Sequence, residues 1–350
     1  MSLEIKLTSF SKGAGCGCKI APSVLQEILK TNLVTIPSEK LLVGNDSNDD
    51  AAVYDLGDGN ALISSTDFFM PIVDDAVAFG KIASANAISD IYAMGGKPIL
   101  AIAILGWPIE KIPLEIAQKV LDGARIMCAE AGITLAGGHS IDSAEPIFGL
   151  SVNGIIPIKN LKKNNTAQLN DVLILTKSIG VGILSTAQKR GLLSEEDEPT
   201  MMHYLTQLNK VGEQLGSVQG ITAMTDVTGF GLLGHLIEMC EGATLSAKIS
   251  YLAIPKIACA LPYLAKQIVP DATYRNWNSY SKHTQFEAGV NVLQAFNLLP
   301  DPQTNGGLLI TVNENAVEEV MNILTQNGLS ESSIIGKMIP QQEKLIIVEI

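Results

Sequence analysis

Five aspartates and one cysteine-bearing loop are the residues of this chain whose types and spacing could do chemistry. Asp49 and Asp50 precede a predicted strand and Asp67 ends the next one. Asp90 lies in "AFGKIASANAISDIYAMGG", a stretch so small and apolar that it reads as a buried helix, with Asn86 and Ser89 sharing its face. Asp226 ends the strand "ITAMTD" and is followed by the glycine turn "VTGFG". Carboxylates gathered in one place repel each other unless a proton or a cation sits between them. Hard oxygen ligands favour Mg²⁺ over zinc, and acids at strand ends beside glycine turns suit metal–phosphate chemistry. The competing reading is that strand-end aspartates cap turns in water and that Asp90 lies on a solvent-facing stripe.

The second feature is "GAGCGCK", Gly13 to Lys19. A P-loop needs glycine before the lysine and a hydroxyl after it. Here Cys18 precedes Lys19 and Ile20 follows, so the magnesium-binding hydroxyl is missing. A zinc clip needs a second ligand pair, and Cys128, Cys240, Cys259 and the four histidines offer none at matching spacing. Reactive-thiol chemistry fits best: glycines make the loop mobile, and Lys19 favours a thiolate. The alternative is an incidental cysteine pair in a disordered tail.

The elements that must position these groups follow from the apolar pattern. Ala51–Leu56 and Ala61–Thr66 read as two strands around the turn "GDGN". If that hairpin is regular about a centre between Asp58 and Gly59, Asp50 and Asp67 face each other at its open end. A helix with Pro22 near its start should follow the cysteine loop. Phe79–Met94 and Leu114–Ala131 read as helices, and Ile99–Leu105 as a strand buried on both faces. "AGGHS", Ala136 to Ser140, reads as a loop between two strands, able to turn backbone N–H groups toward phosphate or a base. The polar stretch "PIKNLKKNNTAQLND" marks a boundary. Beyond it "DVLILTK", "ITAMTD", Leu245–Tyr251, Leu308–Val312, Ile334–Met338 and Leu345–Val348 read as strands, with helices over Gly180–Lys189 and Phe230–Cys240. The expected fold class is α/β (α+β): two α/β domains, 1–157 with the mobile loop at 1–20, and 170–350, with mixed or antiparallel sheets and packed helices.

Several function classes fall away. The 350 residues carry a net charge of −12 and no dense basic run, which argues against nucleic acid. The longest apolar stretch, near Ile99–Ile109, is broken by Gly106 and Pro108, so no membrane span is expected, and the start lacks a signal-peptide core. A cytoplasmic protein with reduced thiols is the expectation. "GFGLLG", Gly229 to Gly234, matches the dinucleotide fingerprint, but no acid ends the following strand to hold a ribose. A nicotinamide-dependent dehydrogenase therefore stands only as a weak alternative. In the hairpin, Val53, Leu56, Leu62 and Ile63 put apolar residues in both alternation phases, so a partner subunit is expected to cover the second face. The residues alone reach a magnesium–polyphosphate enzyme with a thiol loop.

Seven segments carry a resemblance that goes further: "GAGCGCK", "DDAAVYDL" at 49–56, "STDFFMPIVD" at 65–74, "NAISDIYAMGGKP" at 86–98, "GGHSID" at 137–142, "AMTDVTGFGLLGHL" at 223–236 and "DPQTNGGLL" at 301–309. In order, over nearly the whole chain, they resemble the selenophosphate synthetases (selenide, water dikinases). These belong to the wider aminoimidazole-ribonucleotide synthetase-like ATP enzymes, whose two-domain fold the resemblance implies. It implies a homodimer that turns ATP, selenide and water into selenophosphate, AMP and phosphate. The selenium arrives as selenide or from a delivery protein, and the product supplies selenocysteine and selenonucleoside synthesis. It also implies Cys16 as the catalytic cysteine and Lys19 on the ATP phosphates, stabilising developing charge. Asp50, Asp90 and Asp226 would hold Mg²⁺. Ser47, Asn48, Asp49, Asp67 and Asp90 would line the nucleotide site, with Gly138, His139 and Ser140 reaching the other subunit's nucleotide. Asn305 stands where many relatives are expected to have serine. A superfamily relative with another phosphate acceptor, and a thiol-based binding module without turnover, are the remaining alternatives.

Overall fold

The computed structural model describes residues 5–11, 13, 15–19, 24, 27–28, 38–44 and 49–350, the side chains of Cys16 and Cys18 excepted. The predicted helix near Pro22 falls almost wholly outside them.

The first sheet holds β1 (Leu41–Val43), β2 (Ala52–Asp55), β3 (Asn60–Phe69), β4 (Lys97–Trp107), β5 (Thr134–Asp142) and β6 (Ile147–Pro157), in the order β1-β2-β3-β6-β4-β5. All its pairs are antiparallel except β4–β5. Two helices, α1 (Ala76–Ala93) and α2 (Leu114–Ala131), pack on one face. They approach so closely that a Cβ at Gly80 would lie 1.9 Å from the Val120 carbonyl oxygen, and one at Gly123 would lie 2.1 Å from that of Val77. Glycine alone permits that contact.

Along β3 the alternation sends Ala61, Ile63 and Ser65 inward and Leu62, Ser64, Thr66 and Phe68 outward. The outer face is apolar as well. Tyr54, Phe68, Ile102, Ile141 and Ile155 stand there, all at least 40% exposed. β4 was expected to be buried on both faces, and its outer face is instead open.

The second sheet has the order β10-β13-β9-β12-β7-β11-β8. Its strands are β7 (Val172–Leu175), β8 (Ile221–Asp226), β9 (Leu245–Ser250), β10 (Thr284–Phe286), β11 (Leu308–Val312), β12 (Ser333–Pro340) and β13 (Ile346–Glu349). Around it lie α3 (Val181–Lys189), α4 (Glu198–Thr206), α5 (Val211–Gly216), α6 (Gly231–Ala243) and shorter helices. The helix α1 touches β3 and β6 on one side and α4, α5 and β8 on the other. Enclosure from both sides explains why it is built from small and apolar residues throughout. The stretch between the sheets is polar in sequence yet partly buried: Lys162 donates to the carbonyls of Val218 and Ile221 at 2.9 and 3.0 Å.

The "DPQT" segment caps α3. Gln303 Oε1 accepts from the N–H groups of Gly180 and Val181, both at 3.2 Å, and Asp301 Oδ2 accepts from Gly182 at 3.1 Å. Burial pushes the Asp301 carboxyl up to about 8, and its Oδ1 is buried with no hydrogen-bond partner. Between the unfolded carboxylate value and about 8, the folded chain holds a proton that the unfolded chain has lost. Stability therefore falls as pH rises through that window. Urea midpoints should drop between pH 6 and pH 9, and Asp301→Asn should flatten the drop while keeping the cap. An unchanged slope in that variant would show that Asp301 is ionised throughout.

Candidate active site

The aspartates come from both sheets. β3 carries Ser65 and Asp67, α1 carries Asn86, Ser89 and Asp90, and β8 carries Thr225 and Asp226. Asp49 and Asp50 lie just before β2. The hairpin is centred on Asp58, half a residue from the centre that would set Asp50 opposite Asp67. Its register is Ala52↔Ser64 and Val53↔Ile63, so β3 runs on past the end of β2, and Asp67 pairs with Leu150 of β6. Asp50 and Asp67 are thus not ladder partners, contrary to the expectation. Asp50 instead turns toward the second sheet, where Thr225 Oγ1 donates to its Oδ1 at 2.8 Å.

Side-chain amides and hydroxyls hold the carboxylates in place. Ser65 Oγ donates to Asp90 Oδ2, and Ser89 Oγ donates to Asp226 Oδ2. Asn209 Nδ2 donates to Ser89 Oγ at 2.8 Å. Asn86 Nδ2 donates to Asp67 Oδ2 at 2.6 Å, while its Oδ1 accepts from the Asn305 N–H at 2.8 Å. Lys19 Nζ stands 3.5 Å from Asp67 Oδ1. Three of these contacts, Ser89 to Asp226, Asn209 to Ser89 and Asn305 to Asn86, run between α1 and the second sheet's unit, so the cluster is assembled at their junction.

Burial dominates the electrostatics. It pushes Asp50 well above the usual carboxylate range, with Asp226, Asp49 and Asp90 adding to the rise. It does the same to Asp90, where Asp67 and Asp226 add and Lys19 opposes. Asp49 and Asp226 are each raised to about 6, again first by burial. Asp50 Oδ2 is buried without a hydrogen-bond partner. Such a group calls for a proton or a cation. Among the described residues, no three acidic, cysteine or histidine side chains stand close enough to hold a metal ion unaided.

Sequence reasoning overlooked several members. Ser65 and Thr225 stand near named acids, so these were within reach of a pattern, as were Asn86 and Ser89, which the sequence had already placed on the face of Asp90. Lys177 was not. It follows β7, is wholly buried, and is lowered to about 7 by that burial. Its ammonium donates to the carbonyls of Gln207 at 2.7 Å and Asn305 at 3.0 Å. Asn305 adopts a left-handed backbone (φ 54°) and donates to the carbonyls of Leu205 and Gln207 at 3.0 and 2.9 Å. It therefore anchors the turn after α4.

The remaining predicted residues are placed as follows. Gly138, His139 and Ser140 lie in the edge strand β5, not in a loop, and all three are exposed. His139 pairs with Ile104, in the same row of the ladder as Gly149 and Phe68 of the open apolar face. Cys16 and Cys18 share a short helical turn, Gly15–Cys18, and their side chains lie outside the described residues, as do Ser47 and Asn48. The glycines of "GFGLLG" serve packing: a Cβ at Gly231 would meet Pro300, and one at Gly234 would meet Tyr280. β8 is an edge strand antiparallel to β11, with no parallel neighbour to form a dinucleotide crevice.

The class that this fold defines is that of the AIR synthase related proteins. Residues 48–156 match its N-terminal domain and residues 168–349 its C-terminal domain. The chain is 53% identical over 350 residues to a selenide, water dikinase of Photorhabdus laumondii subsp. laumondii, covering 100% of this chain and 99% of that one. It is also 53% identical over 331 residues to that of Aeromonas salmonicida, covering 95% of each. The chain belongs to the selenide, water dikinase family. Solved structures add the fold alone. A thiamine-monophosphate kinase from Stenotrophomonas maltophilia superposes with TM-score 0.64 at 17% identity, over 89% of this chain and 91% of that one. The hydrogenase maturation protein HypE gives 0.64 at 19%, over 87% and 86%.

Proposed function

We propose that the aspartate cluster is the magnesium–ATP site of a selenide, water dikinase. The chain is an enzyme of that family, converting ATP, selenide and water to selenophosphate, AMP and phosphate. The observation that carries the site is the junction itself: buried carboxylates from both sheets raise one another, and one oxygen of Asp50 is left without a partner. Asp50, Asp90 and Asp226 would hold Mg²⁺, which suits their hard oxygens and supplies charge neutralisation to the triphosphate. Since among the described residues no three such groups close a metal site unaided, the nucleotide's phosphates would complete the coordination, as is usual for this ion.

The chain's own groups do the rest. Thr225, Ser65, Ser89 and Asn86 fix the carboxylate orientations through the hydrogen bonds described. Lys19, already beside Asp67, brings positive charge to where phosphate negative charge develops. Cys16 is assigned to selenium handling, and Ser47, Asn48 and Asp49 to the nucleotide.

The same reading makes the working unit a cytoplasmic homodimer, with residues 1–157 the ATP-binding and dimerisation unit and 170–350 the second α/β unit. Among the described residues, no helix is long and apolar enough to cross a membrane. The open face carrying Tyr54, Phe68, Ile102 and Ile155 is a contiguous apolar surface that suits a second copy. His139 stands on that face, so the 138–140 segment would meet the partner's nucleotide.

Phe68→Glu with Ile102→Glu should yield a monomer by sedimentation. A fully active monomeric wild type would rule the shared site out. Mixed dimers of Asp50→Asn and His139→Ala subunits should regain up to about half of wild-type activity, because one site escapes both lesions. Mixed dimers no better than their parents would remove the shared site while leaving the dimer.

A further inference from the structure

A cavity of about 460 Å³ opens beside the cysteine loop, bounded by Gly13 and Gly17 on one side. Lys189 and Arg190 at the end of α3, and Arg275 of the helix Asp271–Tyr280, line the other side. Asp271 is the single acid among the described lining residues. Two of the cations also hold the loop: Lys189 Nζ donates to the Gly13 carbonyl at 3.1 Å, and Arg275 Nη2 to that of Gly17 at 2.8 Å. Gly15 is seated between the sheets. Its N–H donates to the Met70 carbonyl at 3.2 Å, its φ is +51°, and a Cβ there would lie 2.6 Å from Ile72 Cδ1 and 2.7 Å from Thr304 Oγ1. Gly13, Gly15 and Gly17, the glycines around Cys16, are thereby held beside a cationic cavity.

That location matters because the chain as a whole carries −12. Its field repels anions, and the aspartate cluster repels them most. Hydrogen selenide is a monoanion at neutral pH. A pocket with three cations against one acid is a local inversion of that field. Walls of low dielectric focus such a field and raise the local concentration of the opposite charge.

We propose that this cavity is the entry site for the anionic selenium substrate, with Lys189, Arg190 and Arg275 drawing hydrogen selenide to the cysteine loop. The inference rests on the dikinase reading above. The three side chains are exposed, so they act by steering and weak capture rather than by tight binding.

The test measures kcat/KM for selenide, together with ATP affinity, in Lys189→Gln, Arg190→Gln, Arg275→Gln and the triple variant. In the wild type kcat/KM for selenide should fall as salt rises. In the triple variant it should be lower by about tenfold at low salt and nearly independent of salt, with ATP affinity kept. The single variants should each show part of the loss, which keeps the test open if the triple does not fold. The charge-retaining pair Lys189→Arg and Arg275→Lys should keep the wild-type salt dependence. If that pair loses as much as the neutral variants, the cations serve only to seat the loop and the inference fails. It also fails if the neutral variants match wild type in kcat/KM for selenide. If the wild type makes no selenophosphate at all, the dikinase reading fails first, and the two failures are distinguished by that control.

Discussion

Cys16→Ser is expected to lower selenide-dependent turnover by about a hundredfold or more while ATP affinity stays close to wild type. The reasoning joins chain position to fold. Gly15 is locked between Met70, Ile72 and Thr304, and Lys19 reaches Asp67, so the residues between them are held against the junction that carries the aspartates. A serine hydroxyl is close to isosteric with a thiol but is a far weaker nucleophile near neutral pH, because so little of it ionises. Cys18→Ser should cost much less. Near-normal turnover of Cys16→Ser in steady-state assays would sink the assignment of that residue.

Asp50→Asn and Asp226→Asn form the second large effect. Each removes a charge from a buried cluster in which carboxylates already raise one another. The apo protein should tolerate this well, because it relieves repulsion, and its thermal midpoint should hold or rise. The magnesium concentration needed for half-maximal ATP binding should rise by roughly tenfold or more, and turnover should fall about a hundredfold to a thousandfold. The opposite signs for apo stability and for function separate a binding role from a structural one. Equally tight ATP binding by the wild type in excess chelator would contradict the metal assignment, and calorimetry with and without chelator reads it directly.

The parts legible in the sequence are those where one residue type answers to one physical demand. α2 was read with its ends intact, because its apolar face and its left-handed stop at Gly132 are both local. β11 was read likewise, since all five of its residues are buried and four of them are apolar. The acids were legible because buried charge is costly and seldom accidental. What escaped depends on tertiary placement. The helix Asp271–Tyr280 buries Ala272, Thr273, Asn276 and Tyr280, a face with little apolar signal. The register of β2 on β3 is centred on Asp58 rather than between Asp58 and Gly59, and no residue of the turn announces that one-residue shift. "AGGHS" contains two glycines and looks like a loop, yet it is strand, because β4 pairs with β5 on both sides of an irregularity at Ala136–Gly137. The role of Lys177 exists only once the turn after α4 and the "DPQTNGG" segment meet around it.

The central claim is that this site spends ATP on selenide. Phosphorus NMR of the protein with Mg²⁺ and ATP, with and without selenide under anaerobic conditions, tests it most directly. The account predicts selenide-dependent loss of the ATP resonances, with AMP, orthophosphate and a selenophosphate signal accumulating in equal amounts. ATP consumption that yields ADP, or that proceeds identically without selenide and gives no phosphorus–selenium species, would contradict it.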